Sequence, residues 1–276
     1  MAVATDTLER LAYAALAEDV GEGDVTTEAT VDADAVGAAE LLLEEPGVVC
    51  GLAIAEAVFR ALDPDVVFEP LVAEGDSVPA RTVAARVDGP LRAILTGERT
   101  ALNFLGRLSG IATLTRRYVD AVDGTGVAIL DTRKTTPGLR ALEKHAVAVG
   151  GGRNHRFGLD DAVLVKDNHL RATGSLEAAV ERVRSATQLP IEVECDTIEQ
   201  VSEAIALGVD AILLDNMTPD DLLAAVVLVQ RRARLEASGG VTLENVRAIA
   251  ETGVDEISVG ALTHSARSLD VSLELT

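Results

Sequence analysis

The lysine residues of this chain are few and lie close together in the sequence. Lys134, Lys144 and Lys166 are the only lysines among 24 basic residues. Residues 131–171 contain eight basic and five acidic side chains, whereas the whole chain has a formal charge of −21. A cationic island in an acidic chain favours a binding site for a strongly anionic small molecule. The alternative is a solvated loop in which these charges pair with one another.

Four basic side chains of this stretch suit particular anionic groups. The planar guanidinium groups of Arg133 and Arg156 can each bind a carboxylate through two hydrogen bonds. The compact ammonium groups of Lys134 and Lys166 suit phosphates. The chemistry therefore predicts a ligand that carries both carboxylate and phosphate groups.

Two carboxylates, Glu194 and Asp215, stand at the ends of apolar segments further along the chain. They could accept hydrogen bonds from sugar hydroxyls, hold Mg²⁺ or stabilise a cationic sugar centre. The alternative is that they pair with the lysines.

Two glycine-containing segments are candidates for phosphate binding. Ser238-Gly239-Gly240 follows an apolar segment and precedes a helix predicted to begin near Thr242, and Gly260 follows the next segment, with His264 one turn later. Such loops present backbone N–H groups to an anion. Two further histidines have structural alternatives. His155 either binds a ligand or orders the glycine loop at 150–152, and His169 is interpreted as a helix cap.

These side chains follow six short apolar segments that alternate with helical patterns. The predicted strands are 128–130, 162–165, 191–193, 211–214, 233–237 and 256–259, and the helices between them include 176–184, 198–207, 222–229 and 243–251. Alternating strands and helices predict a parallel sheet with right-handed crossovers. Because each predicted strand ends in or leads directly into a polar or glycine-containing segment, the six exits together predict one active-site rim.

The first part of the chain has a different pattern, typical of an α+β domain. It comprises predicted helices at 5–19 and 52–62, strands at 38–43, 66–69 and 82–87, and two helices at 97–108 and 111–122. Residues 269–275 alternate in polarity and predict a strand that returns to this domain. The predicted division is residues 1–108, joined by strand 267–276, and a barrel over 109–266.

Charge and hydropathy exclude several classes of protein. The formal charge of −21 repels nucleic acids and anionic lipid surfaces. No apolar run is long enough to span a membrane, and the first residues do not resemble a signal peptide, so a cytoplasmic location is expected. Cys50 and Cys195 are expected to be buried, reduced thiols. An acidic composition with few lysines suits a high-salt cytoplasm, although a codon bias would produce the same ratio.

Three segments together resemble the quinolinate phosphoribosyltransferase family. They are DTRKTTPGLR at 131–140, GGRNHR at 151–156 and VKDNH at 165–169. Further similarity at 23–27, 98–105, 192–194, 213–217 and 258–264 extends the resemblance over nearly the whole chain. The chain departs from the family pattern at His145, where an aromatic is more usual, and at Cys195, where an aliphatic is usual.

The resemblance implies a fold and a reaction. The fold would be an α+β sandwich-like first domain packed with an incomplete parallel α/β barrel, as in type II phosphoribosyltransferases. The enzyme would be a homodimer that joins quinolinate to phosphoribosyl pyrophosphate, with loss of pyrophosphate and CO₂. The product would be nicotinate mononucleotide, a precursor in de novo NAD synthesis.

The resemblance also implies roles for individual residues. Arg133, His155, Arg156 and Lys166 would hold the quinolinate carboxylates, and Arg99 would reach the site of the partner subunit. Lys134 would face the pyrophosphate, and Glu194 and Asp215 the ribose and Mg²⁺. The catalytic set would be Lys134, Lys166, Glu194 and Asp215. The remaining substrate-binding residues would hold the 5′-phosphate or lie beside it. They are Thr132, Ser238, Gly239, Gly240, Val259, Gly260, Ala261 and His264.

Three other functions remain open at this point. A paralogous phosphoribosyltransferase could share the signature and use another aromatic acid. Lys166 at a strand end could be the Schiff-base lysine of an aldolase. A phosphate-ligand sensor without turnover would keep the binding loops, but it would not require Glu194 and Asp215.

Overall fold

A computed structural model describes residues 3–276, and their contacts divide the chain into two compact units. The first unit comprises the chain up to Arg116 together with Thr136–Gly151 and Ser265–Thr276. The second comprises Arg117–Thr135 and Gly152–His264. The sequence-based division differs from this one at residues 109–116, 136–151 and 265–266, which belong to the first unit. One cause is Glu143, whose buried carboxylate accepts hydrogen bonds from Arg107 at 2.8 Å and from the Thr136 N–H at 3.0 Å.

Helices and strands follow one another irregularly up to residue 121, and short strands alternate with helices after it. Up to residue 121 they are α1 (Thr5–Val20), α2 (Val25–Thr30), β1 (Val36–Leu43), β2 (Gly47–Val48), α3 (Leu52–Leu62), β3 (Val67–Pro70), β4 (Ser77–Val78), β5 (Thr82–Pro90) and α4 (Leu91–Ala121). The remainder are β6 (Ala128–Leu130), α5 (Arg140–Val149), β7 (Val163–Val165), α6 (Asp167–Thr173), α7 (Leu176–Ala186), β8 (Ile191–Cys195), α8 (Ile198–Ala206), β9 (Ala211–Asp215), α9 (Pro219–Val229), β10 (Arg234–Ser238), α10 (Val246–Ala250), β11 (Glu256–Ser258), α11 (Ala261–His264) and β12 (Val271–Leu275).

The first unit contains a four-stranded antiparallel sheet in the order β12-β1-β5-β3. β12 pairs with β1, Leu41 lying opposite Leu273, so the predicted return of the C-terminal strand is confirmed. Helix α3 has the bounds that its apolar spacing predicts, and it buries Ile54, Val58 and Phe59. Burial of these side chains removes apolar surface from water and stabilises the unit.

Helix α4 is one continuous helix, and the prediction of two helices at 97–108 and 111–122 was wrong. The two predicted helices were separated at residues 109–110, which include Gly110. In the structure Gly110 lies inside α4, where a Cβ atom would overlap the carbonyl oxygen of Arg267. The glycine therefore permits close packing and does not end the helix. Glycine inside a helix is about 1 kcal/mol less favourable than alanine, and the close contact offsets this.

The second unit contains a six-stranded parallel sheet in the order β6-β11-β10-β9-β8-β7. This confirms the predicted parallel α/β architecture and all six predicted strands. In the described residues 3–276, β6 and β7 are the two edges of the sheet and do not pair with each other. The barrel is therefore incomplete, and the ends of its strands open on one rim.

Both cysteines are buried and free, as predicted. Burial is the main factor that raises the pKa of Cys195 to about 12, and burial together with Glu74 raises the pKa of Cys50 well above its usual value. Both thiols are therefore protonated at neutral pH. Across residues 3–276, no helix combines the length and apolar character needed to cross a membrane.

Candidate active site

The rim of the parallel sheet surrounds a cavity of about 480 Å³. Alternate residues of a strand point to the same face, so residues two apart on β8, β9 and β10 line this space in two layers. Those at or beside the strand ends, here called the end layer, are Glu194, Asp215 and Ser238, and those two residues earlier along each strand, called the deeper layer, are Glu192, Leu213 and Glu236. The cavity is lined by all three residues of the end layer and by Leu213 and Glu236 of the deeper layer.

Eleven of the residues predicted from the sequence line this one cavity. They are Thr132, Arg133, Lys134, His155, Arg156, Lys166, Glu194, Asp215, Ser238, Gly239 and Gly240. Val259, Gly260, Ala261 and His264 are not among its lining residues. Gly260 nevertheless borders it, because a Cβ atom there would lie 3.2 Å from the Lys134 side chain and 3.0 Å from His264 Nε2. The second glycine loop therefore lies beside the lysine that resemblance assigns to pyrophosphate.

Arg99 is a predicted site residue that belongs to the first unit. It lies on α4, its side chain is 63% exposed, and its nearest acidic partner is Glu98, at 4.0 Å. A pair so exposed contributes little to stability. The guanidinium is thus accessible at the surface of its own unit.

The cationic side chains of the cavity come from three loops. Burial lowers the pKa of Arg156, and the nearby positive charge of Arg133 lowers it further. Lys166 Nζ lies 3.1 Å from Glu194 Oε2, which is the lysine–carboxylate pairing that the sequence left open. Two adjacent guanidinium groups repel each other, so a ligand with two negative charges would relieve that repulsion.

Lys134 is held through its backbone, which leaves its side chain available. Its N–H donates to Thr132 Oγ1 at 3.0 Å, and its carbonyl accepts a hydrogen bond from Thr263 Oγ1 at 2.8 Å. Both contacts join the loop after β6 to neighbouring backbone, so the position of the lysine does not depend on its ammonium group.

The loop after β10 is shaped by its two glycines. Gly239 and Gly240 have φ angles of +92° and +61°, which side chains rarely adopt. A Cβ atom on Gly239 would overlap the Asn216 side chain. The backbone N–H of Asn216 donates to the Ser238 carbonyl at 2.8 Å. The backbone here can therefore approach a ligand closely.

The helix predicted after this loop was placed too early, since α10 begins at Val246 rather than near Thr242. The cause is Asn245, whose side chain accepts a hydrogen bond from the Thr242 N–H at 2.8 Å and donates to the Gly240 carbonyl at 2.9 Å. These bonds hold residues 242–245 in a turn. Phosphate recognition here would therefore rest on the loop backbone and Ser238, not on a helix N-terminus.

The sequence analysis missed a buried cluster below the strand ends. His155 Nε2 lies 3.1 Å from Glu192 Oε2 and 3.2 Å from Glu236 Oε2. Glu192, Glu236 and His155 have side chains that are 8%, 1% and 12% exposed. Asp131 was also missed. It is fully buried and accepts hydrogen bonds from the His155 N–H at 2.9 Å and from Asn154 at 2.6 Å.

A usable signal for these residues does exist in the sequence. Glu192 and Glu236 are acidic residues inside short strands whose other positions are mostly apolar, each two residues before a predicted site residue. Two residues along a strand return to the same face. A carboxylate at that position points into the same interior as the site.

His169 acts as the helix cap that the sequence predicted. Its Nδ1 accepts a hydrogen bond from the Lys166 backbone N–H at 2.9 Å, at the start of α6. The contact fixes the backbone from which the Lys166 side chain extends into the cavity. His169 therefore supports the site without lining it.

The parallel sheet, the glycine loops and the cationic cavity at the strand ends are typical of an α/β enzyme with its active site at the ends of its strands. Family models described as the N-terminal and C-terminal domains of quinolinate phosphoribosyl transferase match residues 24–109 and 111–274. The chain belongs to the quinolinate phosphoribosyl transferase family.

Curated relatives and solved structures agree with this membership. A probable nicotinate-nucleotide pyrophosphorylase (carboxylating) of Synechocystis sp. is 49% identical over 265 residues, covering 94% of this chain and 90% of the relative. The nicotinate-nucleotide pyrophosphorylase (carboxylating) of Mycobacterium leprae is 46% identical, covering 99% and 97%. The NadC structure from Streptococcus pyogenes has a TM-score of 0.96 at 40% identity, covering 100% of this chain and 99% of that one.

Proposed function

We propose that the chain transfers the phosphoribosyl group of phosphoribosyl pyrophosphate to quinolinate, releasing pyrophosphate and CO₂ and forming nicotinate mononucleotide for de novo NAD synthesis. The observation that carries this proposal is the convergence of two guanidinium groups, two lysines and two carboxylates on one cavity. Membership of the family and the carboxylating relatives support the same reaction.

Quinolinate presents two adjacent carboxylates, which suit the cationic side of the cavity. Arg133 and Arg156 would bind them through paired hydrogen bonds, with Lys166 beside them. Family resemblance also assigns His155 to the carboxylates, and its ring lies at the floor of the cavity in contact with Glu192 and Glu236. Binding in this way would fix the ring nitrogen against the ribose carbon, and such positioning is itself a large part of catalysis.

The opposite side of the cavity suits the sugar phosphate. As pyrophosphate leaves, positive charge develops on the ribose carbon and ring oxygen, and Glu194 and Asp215 would stabilise that charge. Lys134 would bind the departing pyrophosphate. Ser238 and the glycine loop would hold the 5′-phosphate, with Gly260 and His264 beside it. Because these groups are in place before the substrate binds, little reorganisation is needed as the charge develops.

The carboxylates at the strand ends have the right chemistry for Mg²⁺. Glu194 and Asp215 lie on the adjacent strands β8 and β9 and offer hard oxygen ligands, of the kind that Mg²⁺ prefers. Only one oxygen of Glu194 contacts Lys166. When bound, Mg²⁺ would supply charge neutralisation for the pyrophosphate. Glu194 and Asp215 would hold it, directly or through water.

Removal of divalent cations is expected to abolish most phosphoribosyl transfer, because the pyrophosphate would then leave without neutralisation of its charge. The measurement is pyrophosphate release in a chelating buffer, with quinolinate binding measured separately by calorimetry. Added Mg²⁺ should restore turnover. Full turnover after exhaustive chelation would show that Lys134 and the loops suffice.

The decisive test of the reaction measures two products, ¹⁴CO₂ from carboxyl-labelled quinolinate and pyrophosphate. Both are measured with and without phosphoribosyl pyrophosphate. Release of both only when the two substrates are present is the expected result. Turnover of nicotinate or another aromatic acid, but not quinolinate, would favour a paralogous phosphoribosyltransferase. Binding without pyrophosphate release would favour a sensor. A borohydride-trapped adduct of Lys166 would favour an aldolase.

We further infer that the protein works as a homodimer with shared active sites. Arg99 lies on the first unit with an exposed guanidinium, whereas the cavity lies in the second unit. In a closed two-fold dimer each contact occurs twice, so the Arg99 of one subunit can serve the cavity of its partner. Family resemblance supports this role.

Subunit mixing tests the shared site. Arg99→Ala and Lys166→Ala homodimers should each be inactive, and after subunit exchange each mixed dimer should regain one intact site. Activity is measured after mass spectrometry has verified the exchange. If verified mixed dimers remain as inactive as the parents, Arg99 does not act across the interface.

The formal charge of −21 supports a protein that works in a salt-rich cytoplasm. Dense carboxylates repel one another, and salt screens this repulsion. Thermal unfolding is therefore expected to shift to higher temperature as KCl is raised from dilute buffer to molar concentration. Equal stability and full activity in dilute buffer would contradict the salt adaptation.

A further inference from the structure

The cavity has an acidic floor that the proposed reaction has not yet used. Glu192 on β8 and Glu236 on β10 point into the barrel one layer below the strand ends, with the His155 ring between them. Glu236 and His155 line the cavity together with Arg133 and Arg156. Buried carboxylates destabilise a fold unless they are paired or protonated, so their state has functional meaning.

The hydrogen bonds of His155 determine where hydrogen atoms lie in this cluster. Its Nδ1 accepts the Arg156 backbone N–H at 2.8 Å, so the ring carries its own hydrogen on Nε2. That hydrogen is donated to Glu192 Oε2, at 3.1 Å. Glu236 Oε2 lies 3.2 Å from the same nitrogen, so one N–H faces two carboxylates, and both Glu236 oxygens are buried. An ionised carboxylate in that position would be almost wholly unsolvated.

Burial beside a second carboxylate, with one N–H shared between the two, favours the neutral form of Glu236. Burial is the largest factor that raises its pKa, and the charge of Glu192 adds to it. Burial opposes protonation of His155, but Glu192 and Glu236 outweigh it and raise the pKa of the histidine to about 10. The cluster thus keeps an additional proton at neutral pH. Because Nδ1 already accepts the Arg156 N–H, this geometry favours the Glu236 carboxyl, rather than Nδ1, as the place of that proton.

The proposed reaction needs a proton at this depth. When CO₂ leaves the quaternised pyridine ring, the electron pair of the broken bond stays on the ring carbon. That carbon must then gain a hydrogen to give nicotinate mononucleotide. Arg133 and Arg156 lie beside Glu236 in the same cavity and would hold the carboxylates of the ring over it. Guanidinium groups retain their protons too tightly to serve as the acid.

We propose that Glu236 is the acid that protonates the ring carbon as the bond to CO₂ breaks. The Glu236 O–H bond breaks as the new C–H bond forms, and the Glu236 carboxylate that remains can accept the Nε2–H of His155. Water would return the proton to the cluster after the product leaves. A neutral Glu236 also avoids repelling the two carboxylates of quinolinate while they bind. This proposal rests on the proposed function, since it concerns the last step of that reaction.

The test separates the two halves of the reaction in the Glu236→Gln variant. Glutamine matches the carboxyl in size but has no acidic proton. In a single turnover, pyrophosphate release should stay close to wild type, whereas CO₂ release and nicotinate mononucleotide formation should slow by about 10²-fold or more, as for loss of a general acid. The carboxylated mononucleotide should accumulate. Glu256→Gln is the matched control, because Glu256 lies on β11, pairs with Arg234 at 2.7 Å and does not line the cavity.

Two outcomes would overturn the proposal. If pyrophosphate and CO₂ slow by the same factor, Glu236 only shapes the pocket, and if neither slows, the proton comes from elsewhere. Should the variant fail to fold, the wild-type enzyme is measured in D₂O, where CO₂ release should slow while pyrophosphate release does not. Equal rates in both solvents would also overturn it. Failure of the proposed function is distinct, since wild-type enzyme would then release neither product from quinolinate.

Discussion

Replacing Arg156 with alanine is expected to weaken quinolinate binding by roughly 10- to 150-fold, and Arg133→Ala should do the same. Each change removes a charge-assisted hydrogen-bonding partner of a carboxylate, worth about 1.5 to 3 kcal/mol. The two guanidinium groups face the same cavity, and when no anion is bound their positive charges repel each other. Quinolinate affinity is measured by calorimetry, and the double variant should lose less than the sum of the two.

A third arginine provides the control. Arg182 is exposed on α7, away from the cavity, and alanine there keeps a good helix former. Arg182→Ala should leave the affinity unchanged. If Arg133→Ala and Arg156→Ala also leave it unchanged, the carboxylates bind elsewhere and the orientation assigned to quinolinate is wrong.

Lys134→Ala is expected to lower kcat by about 10²- to 10³-fold with a much smaller effect on quinolinate affinity. Its ammonium meets charge that develops only as pyrophosphate leaves, and removing such a group typically costs about 3 to 4 kcal/mol in the transition state. The backbone of Lys134 is held by Thr132 and Thr263, so truncation of the side chain should leave the loop in place. Single-turnover pyrophosphate release together with calorimetry separates the two effects.

Lys134→Arg serves as the companion to this variant, because it keeps the positive charge and should recover part of the rate. A Lys134→Ala enzyme with normal turnover and weakened quinolinate binding would contradict the role assigned to the lysine. An arginine variant no faster than the alanine variant would show that the compact ammonium group itself is needed.

The end layer of the site could be predicted because each of its residues closes an apolar run. Glu194, Asp215 and Ser238 interrupt buried strands at the point where a parallel sheet presents its strand ends. Glu192 and Glu236 were missed because only the residue at each strand exit was considered, although each shares a strand face with a predicted site residue two positions later. His155 was left between ligand binding and loop ordering, and the contact with both glutamates is visible only in three dimensions.

The errors in the helices have a related cause. Gly110 was interpreted from its local neighbours, yet its packing partner is Arg267, more than 150 residues later in the chain. The delayed start of α10 depends on the side chain of Asn245, which competes with the helix for backbone hydrogen bonds. Local patterns predict elements well where the local residues decide the outcome, and poorly where a distant backbone does.

The close approach of α4 to the C-terminal segment restricts how the length of this helix can change. A Cβ atom on Gly106 would lie 2.8 Å from the Leu269 carbonyl oxygen, and one on Gly110 would overlap that of Arg267. The two glycines are four residues apart and lie on one helical face. A single inserted or deleted residue between them would rotate the rest of the helix by about 100° and replace a glycine by a side chain at that face. Insertions in descendants of this sequence should therefore accumulate in loops, such as those at 122–127, and not inside α4.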